Sequence, residues 1–166
     1  MHHSLLLFIL TGLFLIQSCG TKDSRRSFSD VVAYNDYIID QINEVDRRYS
    51  DALNNSTNEE EGLKACDSLF SFSNRALVRL QDIQPYKNDS TLCEAAKGFV
   101  NHFSMISKRE LPQFFERIFN TNRTEADQAE IDQRAAFLDQ HYESEMNHFN
   151  LVQKALSTKF NFQINK

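Results

Sequence analysis

The chain has 166 residues and a formal net charge of −5, with 18 Lys and Arg against 23 Asp and Glu. An acidic balance argues against nucleic acid as a partner, because nucleic-acid binding usually requires a basic surface. Only 4 Gly and 2 Pro are present, which is fewer than the tight turns of an all-β fold need. Composition therefore predicts an all-α chain with one domain of ordinary size.

The first predicted element is an apolar run, Leu5–Ile16, with the sequence LLLFILTGLFLI. It is too short for a bilayer span, which needs ~20 apolar residues, and it suits the hydrophobic region of a secretory signal. The small residue Ser18 then precedes Cys19. We therefore predict a signal peptide over residues 1–18. An ordinary signal peptide or a membrane anchor that happens to contain a cysteine stays as the alternative.

Four residues at the end of this leader, Ile16-Gln17-Ser18-Cys19, resemble the lipobox of bacterial lipoproteins. The resemblance covers about the first 20 residues of the chain. It implies that the Cys19 thiol receives a diacylglyceryl group, that the chain is cleaved before Cys19, and that the new N-terminus is acylated. Acyl chains would then hold the protein on a membrane without a spanning helix. Gly20 is unlike the acidic retention signal of inner-membrane lipoproteins, so the resemblance favours the outer membrane, at its periplasmic face or at the cell surface.

Residues 19–27 are polar and lack apolar periodicity, so they predict a short flexible tether. Residues 28–166 are then the helical domain. This layout is similar to that of small helical lipoproteins of the Gram-negative envelope. Those proteins have no established activity, so the similarity implies none for this chain.

Four amphipathic segments predict an up-down four-helix bundle of long antiparallel helices, because apolar residues recur every three or four positions and the connections are short. Ser27 or Ser29 is expected to cap the first helix, and Thr57 with Glu60 to form a capping box at the second. The predicted helices run from about Phe28 to Leu53, from about Asn58 to Gln84, from Asp89 or Ser90 onward, and from Thr124 to about Lys159.

The third predicted helix contains Pro112, which removes a backbone hydrogen bond and clashes with the preceding turn. We therefore expect this helix to be kinked or broken near Pro112. The fourth helix is expected to begin at Thr124, with Asp127 three residues later, and residues after Lys159 are expected to fold back or fray.

The sharpest chemical pattern in the sequence is His141, Glu145 and His148, which share one helical face because four and seven residues are about one and two turns. Glu145 and His148 also match the Glu-x-x-His of di-iron bundles. A second copy of that motif is absent, and His102 on the third helix is a poor substitute. A polar band that faces solvent is therefore the favoured interpretation, with metal binding as a weak alternative.

Five phenylalanines concentrate around Pro112 and raise two interpretations. They could line a groove for a small hydrophobic ligand or a partner helix. They could equally form the core, because a bundle needs large side chains inside, and this second interpretation is favoured. The five are Phe99, Phe103, Phe114, Phe115 and Phe119.

Two cysteines follow the leader, Cys66 and Cys93. In a straight helical hairpin they would lie roughly 20 Å apart along the axis, whereas a disulfide needs Cα atoms within about 7 Å. We expect buried free thiols, with a disulfide as the alternative. Asp89-Ser90-Thr91 resembles a bacterial O-glycosylation acceptor, but helix capping by Asp89 or Ser90 is the favoured role.

No nucleophile elbow, phosphate-binding Gly-rich loop or Cys-x-x-Cys occurs in the sequence. We therefore predict a non-enzymatic lipoprotein without a cofactor, whose helical domain serves for binding or scaffolding. A carrier of a small hydrophobic ligand and a metal-binding bundle are the alternatives. The sequence leaves the protein partner and the oligomeric state open.

Overall fold

A computed structural model describes residues 23–164, and this part of the chain is all-α, as composition predicted. No β-strand occurs within residues 23–164, and none of the helices there is long and apolar enough to cross a bilayer. The predicted signal peptide, Cys19 and the first residues of the predicted tether lie outside the described part of the chain. The helices are α1 Val31–Asn55, α2 Glu59–Gln81, α3 Thr91–Lys108, α4 Glu110–Ile118 and α5 Glu125–Phe160.

The start of α1 differs from the prediction that Ser27 or Ser29 caps it. The cap is Asp30, whose carboxylate accepts a hydrogen bond from the Ala33 amide at 2.8 Å. Asp is as good an N-cap as Ser. Three neighbouring residues could therefore cap this helix, and sequence alone could not choose among them.

The capping box predicted at α2 is wrong by one residue. Asn58 is the N-cap and accepts from the Glu61 amide at 2.9 Å. The Glu61 carboxylate in turn accepts from the Thr57 amide at 2.9 Å, so Glu60 has no part in the cap. The cap is therefore shared by three residues: Asn58 accepts from the Glu61 amide, and Glu61 accepts from Thr57 and not from the N-cap amide of a capping box.

At the start of α5 Thr124 is the N-cap, as expected, and it forms a capping box with Asp127. The Asp127 amide donates to Thr124 Oγ1 at 3.2 Å, and the Thr124 amide donates to the Asp127 carboxylate at 2.8 Å. These bonds satisfy two backbone groups that would otherwise lack partners at the helix start.

Four helices were predicted, and residues 23–164 contain five, because the third segment is divided into α3 and α4 at Arg109. Pro112 is the third residue of α4, where an amide has no intrahelical partner, so its missing N–H costs no hydrogen bond there. A continuous helix would instead set the Pro112 ring against the carbonyl of Lys108. The interruption directly after Lys108 avoids that clash.

The core is organised around α3, which packs against every other helix. Of its 18 residues 10 are buried. Phe103 of α3 meets Tyr49 of α1 with ring centroids 4.9 Å apart, and Phe99 meets Phe149 of α5 at 6.3 Å. Both α1 and α5 therefore lie closer to α3 than to each other.

The N-terminal segment is attached to the loop between α2 and α3. The Arg26 amide donates to the Asp82 carbonyl at 2.8 Å, and the Gln84 amide donates to the Arg26 carbonyl at 2.8 Å. The Arg26 guanidinium also lies 4.4 Å from the centre of the Tyr37 ring. The last residues of the predicted tether are therefore part of the folded domain.

The C-terminal segment folds back after α5. Asn161 adopts a left-handed conformation with φ of 53°, which Asn tolerates better than most residues. The Phe162 amide then donates to the Ser157 carbonyl at 3.1 Å, and the Ser157 hydroxyl donates to the Phe162 carbonyl at 2.6 Å. This reversal brings Ile164 against the groove between α1 and α5.

The surroundings of Gly62 and Gly98 differ and predict opposite effects for substitution of these two glycines by alanine. In Gly62→Ala the new Cβ would lie 2.5 Å from the ring of the buried Phe115, so we expect the free energy of unfolding to fall by about 1–3 kcal/mol. In Gly98→Ala the new Cβ would meet nothing within 4 Å, so stability should rise by about 0.5–1 kcal/mol through helix propensity alone.

Urea unfolding of the two variants measures both effects. Equal destabilisation by both substitutions would contradict the packing of α4 on α2. As a further control, Gly62→Ala should cost less in a Phe115→Leu background, because the two side chains are in contact.

Candidate functional site

The candidate site is a cleft of about 810 Å³ between α1 and α5. Two contacts between the helices bound it. At one end Tyr49 stacks on Tyr142 with centroids 5.7 Å apart, and at the other Gln153 donates to Asn35 at 2.9 Å. Because α1 and α5 both pack on α3, they separate between these two contacts. We call this space the α1–α5 cleft.

Apolar side chains form the floor of the α1–α5 cleft. Ile42 and Phe149 are almost fully buried, and Ile39 and Met146 are half-buried beside them. Ile164 from the C-terminal segment contributes a further apolar wall. The floor rests on the core through the Phe149 ring, so its shape is fixed by packing and does not depend on a flexible loop.

Polar side chains surround this floor, and two of them are buried. Asn35 and Gln153 are 4% and 6% exposed, yet both line the cleft. Gln153 Nε2 donates to Asn35 Oδ1 at 2.9 Å, and Asn35 Nδ2 donates to Asp36 Oδ1 at 3.1 Å. This chain of bonds leaves Gln153 Oε1 without a hydrogen-bond donor among residues 23–164.

The charge of the α1–α5 cleft is negative. Asp36 and Asp40 line it, and neither forms an ion pair with any residue in the described range. No Lys, Arg or His is among the lining residues. The guanidinium groups of Arg48, Arg75 and Arg79 lie elsewhere, around the ring of Phe72.

The three residues of the predicted metal site are not brought together. His141 and Glu145 are half-buried, whereas His148 is exposed. The His141 ring instead stacks on His102 of α3 with centroids 5.3 Å apart and planes 11° apart. Within residues 23–164 no three His, Cys, Asp or Glu side chains are placed to hold a metal ion.

His102 is partly buried where it stacks on His141. Its Nε2 atom is buried and has no hydrogen-bond partner among the residues described. Burial lowers the pKa of His102 below its ordinary value of 6.5, and the neighbouring His141 lowers that pKa further, while Glu145 opposes the change.

The five phenylalanines proposed for a hydrophobic groove are mainly core residues. Phe99, Phe103 and Phe115 are fully buried, and the first two are in contact at 4.6 Å. Phe114 and Phe119 are half-buried and pack on Phe115. None of the five lines the α1–α5 cleft.

The remaining sequence candidates have structural roles. Cys66 and Cys93 are buried free thiols, as expected, and burial raises the pKa of Cys66 to about 12 and that of Cys93 as well. The Asp89 carboxylate accepts from the Thr91 amide at 2.9 Å and from Lys159 at 2.6 Å. Asp89 therefore caps α3 from one position before Ser90, which makes no side-chain capping bond.

Sequence reasoning missed the α1–α5 cleft, although one signal was present. Gln153 lies four residues after Phe149 and three before Leu156, so it is in phase with the apolar stripe of α5. Asn35 precedes Ile38 by three residues in the same way on α1. A polar residue in phase with an apolar stripe must be buried with a partner or at a cleft.

Comparisons with protein-family models, with curated proteins and with solved structures found no match to this chain.

The His102 environment predicts how stability changes with pH. Because its pKa is lower in the folded than in the unfolded chain, the unfolded chain takes up the proton first as pH falls. The free energy of unfolding should therefore be highest above about pH 6.5 and decline as pH falls from there towards about 5, above the range in which most carboxylates titrate. His102→Gln should remove this dependence.

Urea unfolding at a series of pH values measures the effect, and His148→Gln is the matched control because His148 is exposed. A flat profile for the unmodified protein over this range would contradict the assignment. So would an equal loss of the pH dependence in His148→Gln.

Proposed function

We propose that this chain is a lipid-anchored protein of the bacterial cell envelope whose non-catalytic helical domain serves for binding. The α1–α5 cleft is the observation that carries the binding role. It is a pre-formed concave site with an apolar floor and a few placed polar groups, the usual character of a small-molecule site. A protein partner at another surface is compatible with this role, and nucleic acid is not proposed as a partner.

We further propose an up-down four-helix bundle in which α3 and α4 together form the third member. Contacts between neighbouring helices support antiparallel pairs, because later residues of one helix meet earlier residues of the next. The supporting contacts are Arg48 with Ser68, Gln41 with Arg79, Leu80 with Cys93, Asp67 with Lys108, Phe99 with Phe149, and Glu110 with Arg134.

The lipid anchor is supported by the lipobox-like residues and gives the domain an orientation. Only seven positions separate Cys19 from Arg26, whose backbone is bonded to the α2–α3 loop. Seven extended residues span at most about 25 Å. An acylated Cys19 would therefore hold the end of the domain that contains this loop close to the membrane. Gly20, which is unlike the acidic retention signal of inner-membrane lipoproteins, favours the outer membrane.

A small-ligand carrier remains the second candidate, and the cleft is what favours it. The predicted site for that role, around Phe99, Phe103 and Phe115, is filled by the side chains themselves. A ligand would instead occupy the α1–α5 cleft, where Met146 and Phe149 offer an apolar surface beside polar groups.

Anchoring through Cys19 predicts the behaviour of two neighbouring substitutions in a bacterial host. Cys19→Ala should move the protein from the membrane fraction to the soluble fraction or leave it uncleaved, and should abolish incorporation of an alkyne-labelled fatty acid. Ser18→Ala is the matched control, because it keeps a small residue before the cysteine and should leave both properties unchanged.

Fractionation of membranes followed by immunoblotting, with fluorescence detection of the alkyne label, measures both effects. Unchanged membrane association and labelling in Cys19→Ala would overturn the anchoring proposal.

A further inference from the structure

We propose that the α1–α5 cleft binds a small organic cation with an apolar body. Its ammonium group would lie beside Asp36 and Asp40, and its apolar body against Met146 and Phe149. This inference deepens the binding role proposed above and rests on it, but it is independent of the lipid anchor.

The first argument is the balance of charge in the cleft. Asp36 and Asp40 are four residues apart on α1, a spacing at which like charges destabilise a helix. No cation within residues 23–164 pairs with either carboxylate, and none lines the cleft. A bound cation would offset this repulsion, whereas an anion would add to it.

The second argument is the direction of the buried hydrogen bonds. Gln153 donates to Asn35, and Asn35 donates to Asp36. Two acceptors of this chain of bonds are left over, because Gln153 Oε1 and the second carboxylate oxygen of Asp36 make no hydrogen bond with residues 23–164. An ammonium group carries three donors and no acceptor, so it matches these leftover groups.

The third argument is the position of Gln153. Gln153 is 6% exposed and lines the cleft, and its amide nitrogen is held by the bond to Asn35. A donor from a ligand in the cleft would bond to Gln153 Oε1 in place of water.

The fourth argument is the shape of the site. A volume of about 810 Å³ lies within the range of ~300–1,000 Å³ that is usual for small-molecule pockets. The floor of Ile42, Met146 and Phe149 would bury an aromatic or short alkyl group, and the carboxylates stand at the exposed rim. The arrangement therefore favours a ligand with one charged end and one apolar end.

Two methionines of the helical domain make the site measurable. Met146 lines the α1–α5 cleft, whereas Met105 is 48% exposed on α3 and does not line it. The full chain, purified in a nonionic detergent with its methionine methyl groups labelled with ¹³C, reports binding at Met146 and uses Met105 as an internal control. A Met105→Leu variant assigns the two signals.

The probes are 2-phenylethylammonium, 2-phenylethanol and phenylacetate, which have similar size and differ in charge. We expect 2-phenylethylammonium to shift the Met146 signal saturably in the millimolar range, with little change at Met105. The neutral and anionic probes should bind at least about tenfold more weakly, a difference within the range that two exposed ion pairs supply. Equal titration by all three probes, or no saturable shift with the cation, overturns the proposal.

Substitutions in the cleft distinguish binding of the cation to the carboxylates from nonspecific partitioning of the probe onto the apolar floor. In the double variant Asp36→Asn with Asp40→Asn, binding of the cation should weaken about tenfold. Glu143→Gln removes an exposed carboxylate of α5 outside the cleft and should leave binding unchanged. Unchanged binding in the double variant, with an undisturbed Met105 signal as the sign of a folded protein, overturns the proposal.

The same titration on the Cys19→Ala chain tests the binding of the cation independently of the lipid anchor. Binding that persists in Cys19→Ala while membrane association is lost supports both. If Cys19→Ala changes neither membrane association nor fatty-acid labelling, the anchoring proposal fails, and the titration still tests the binding of the cation.

Discussion

Burial of α3 is the constraint on which the rest of this structure depends. A helix with 10 of 18 residues buried needs neighbours on several sides, and α1, α2 and α5 supply them. Because α1 and α5 meet α3 through Tyr49, Phe103, Phe99 and Phe149, they separate from each other between their end contacts. The α1–α5 cleft is therefore a consequence of core packing.

The same packing explains why the two ends of the domain differ. At one end the segment around Arg26, the α2–α3 loop and the C-terminal part of α5 are joined by backbone bonds and by the ion pair of Lys159 with Asp89. At the other end α4 packs against α2 and α5, with the Phe115 ring against Gly62. If Cys19 is acylated, the first of these ends faces the membrane, and α5, at 36 residues or about 54 Å, extends away from it.

Periodicity and composition were sufficient to predict the all-α class and the start of α5 at Thr124, because both are local properties of the sequence. The cap of α1 could not be predicted, since Ser27, Ser29 and Asp30 are all suitable. The cleft and the pairing of His102 with His141 could not be predicted either. Both depend on the rotation of α5 about its axis, which is decided by its packing against α3. A small change in this rotation would bring different polar residues together.

The most direct test of lipid anchoring at Cys19 measures two properties of the protein extracted from membranes: the number of reactive thiols and the intact mass. Of the three cysteines, Cys66 and Cys93 are buried, with raised thiol pKa values, so a reactive thiol in the folded protein would report on Cys19. The account predicts no reactive thiol in the folded protein, two after unfolding, and the mass of a chain that begins at Cys19 and carries acyl groups. A third reactive thiol, or a mass that includes residues before Cys19, would contradict it.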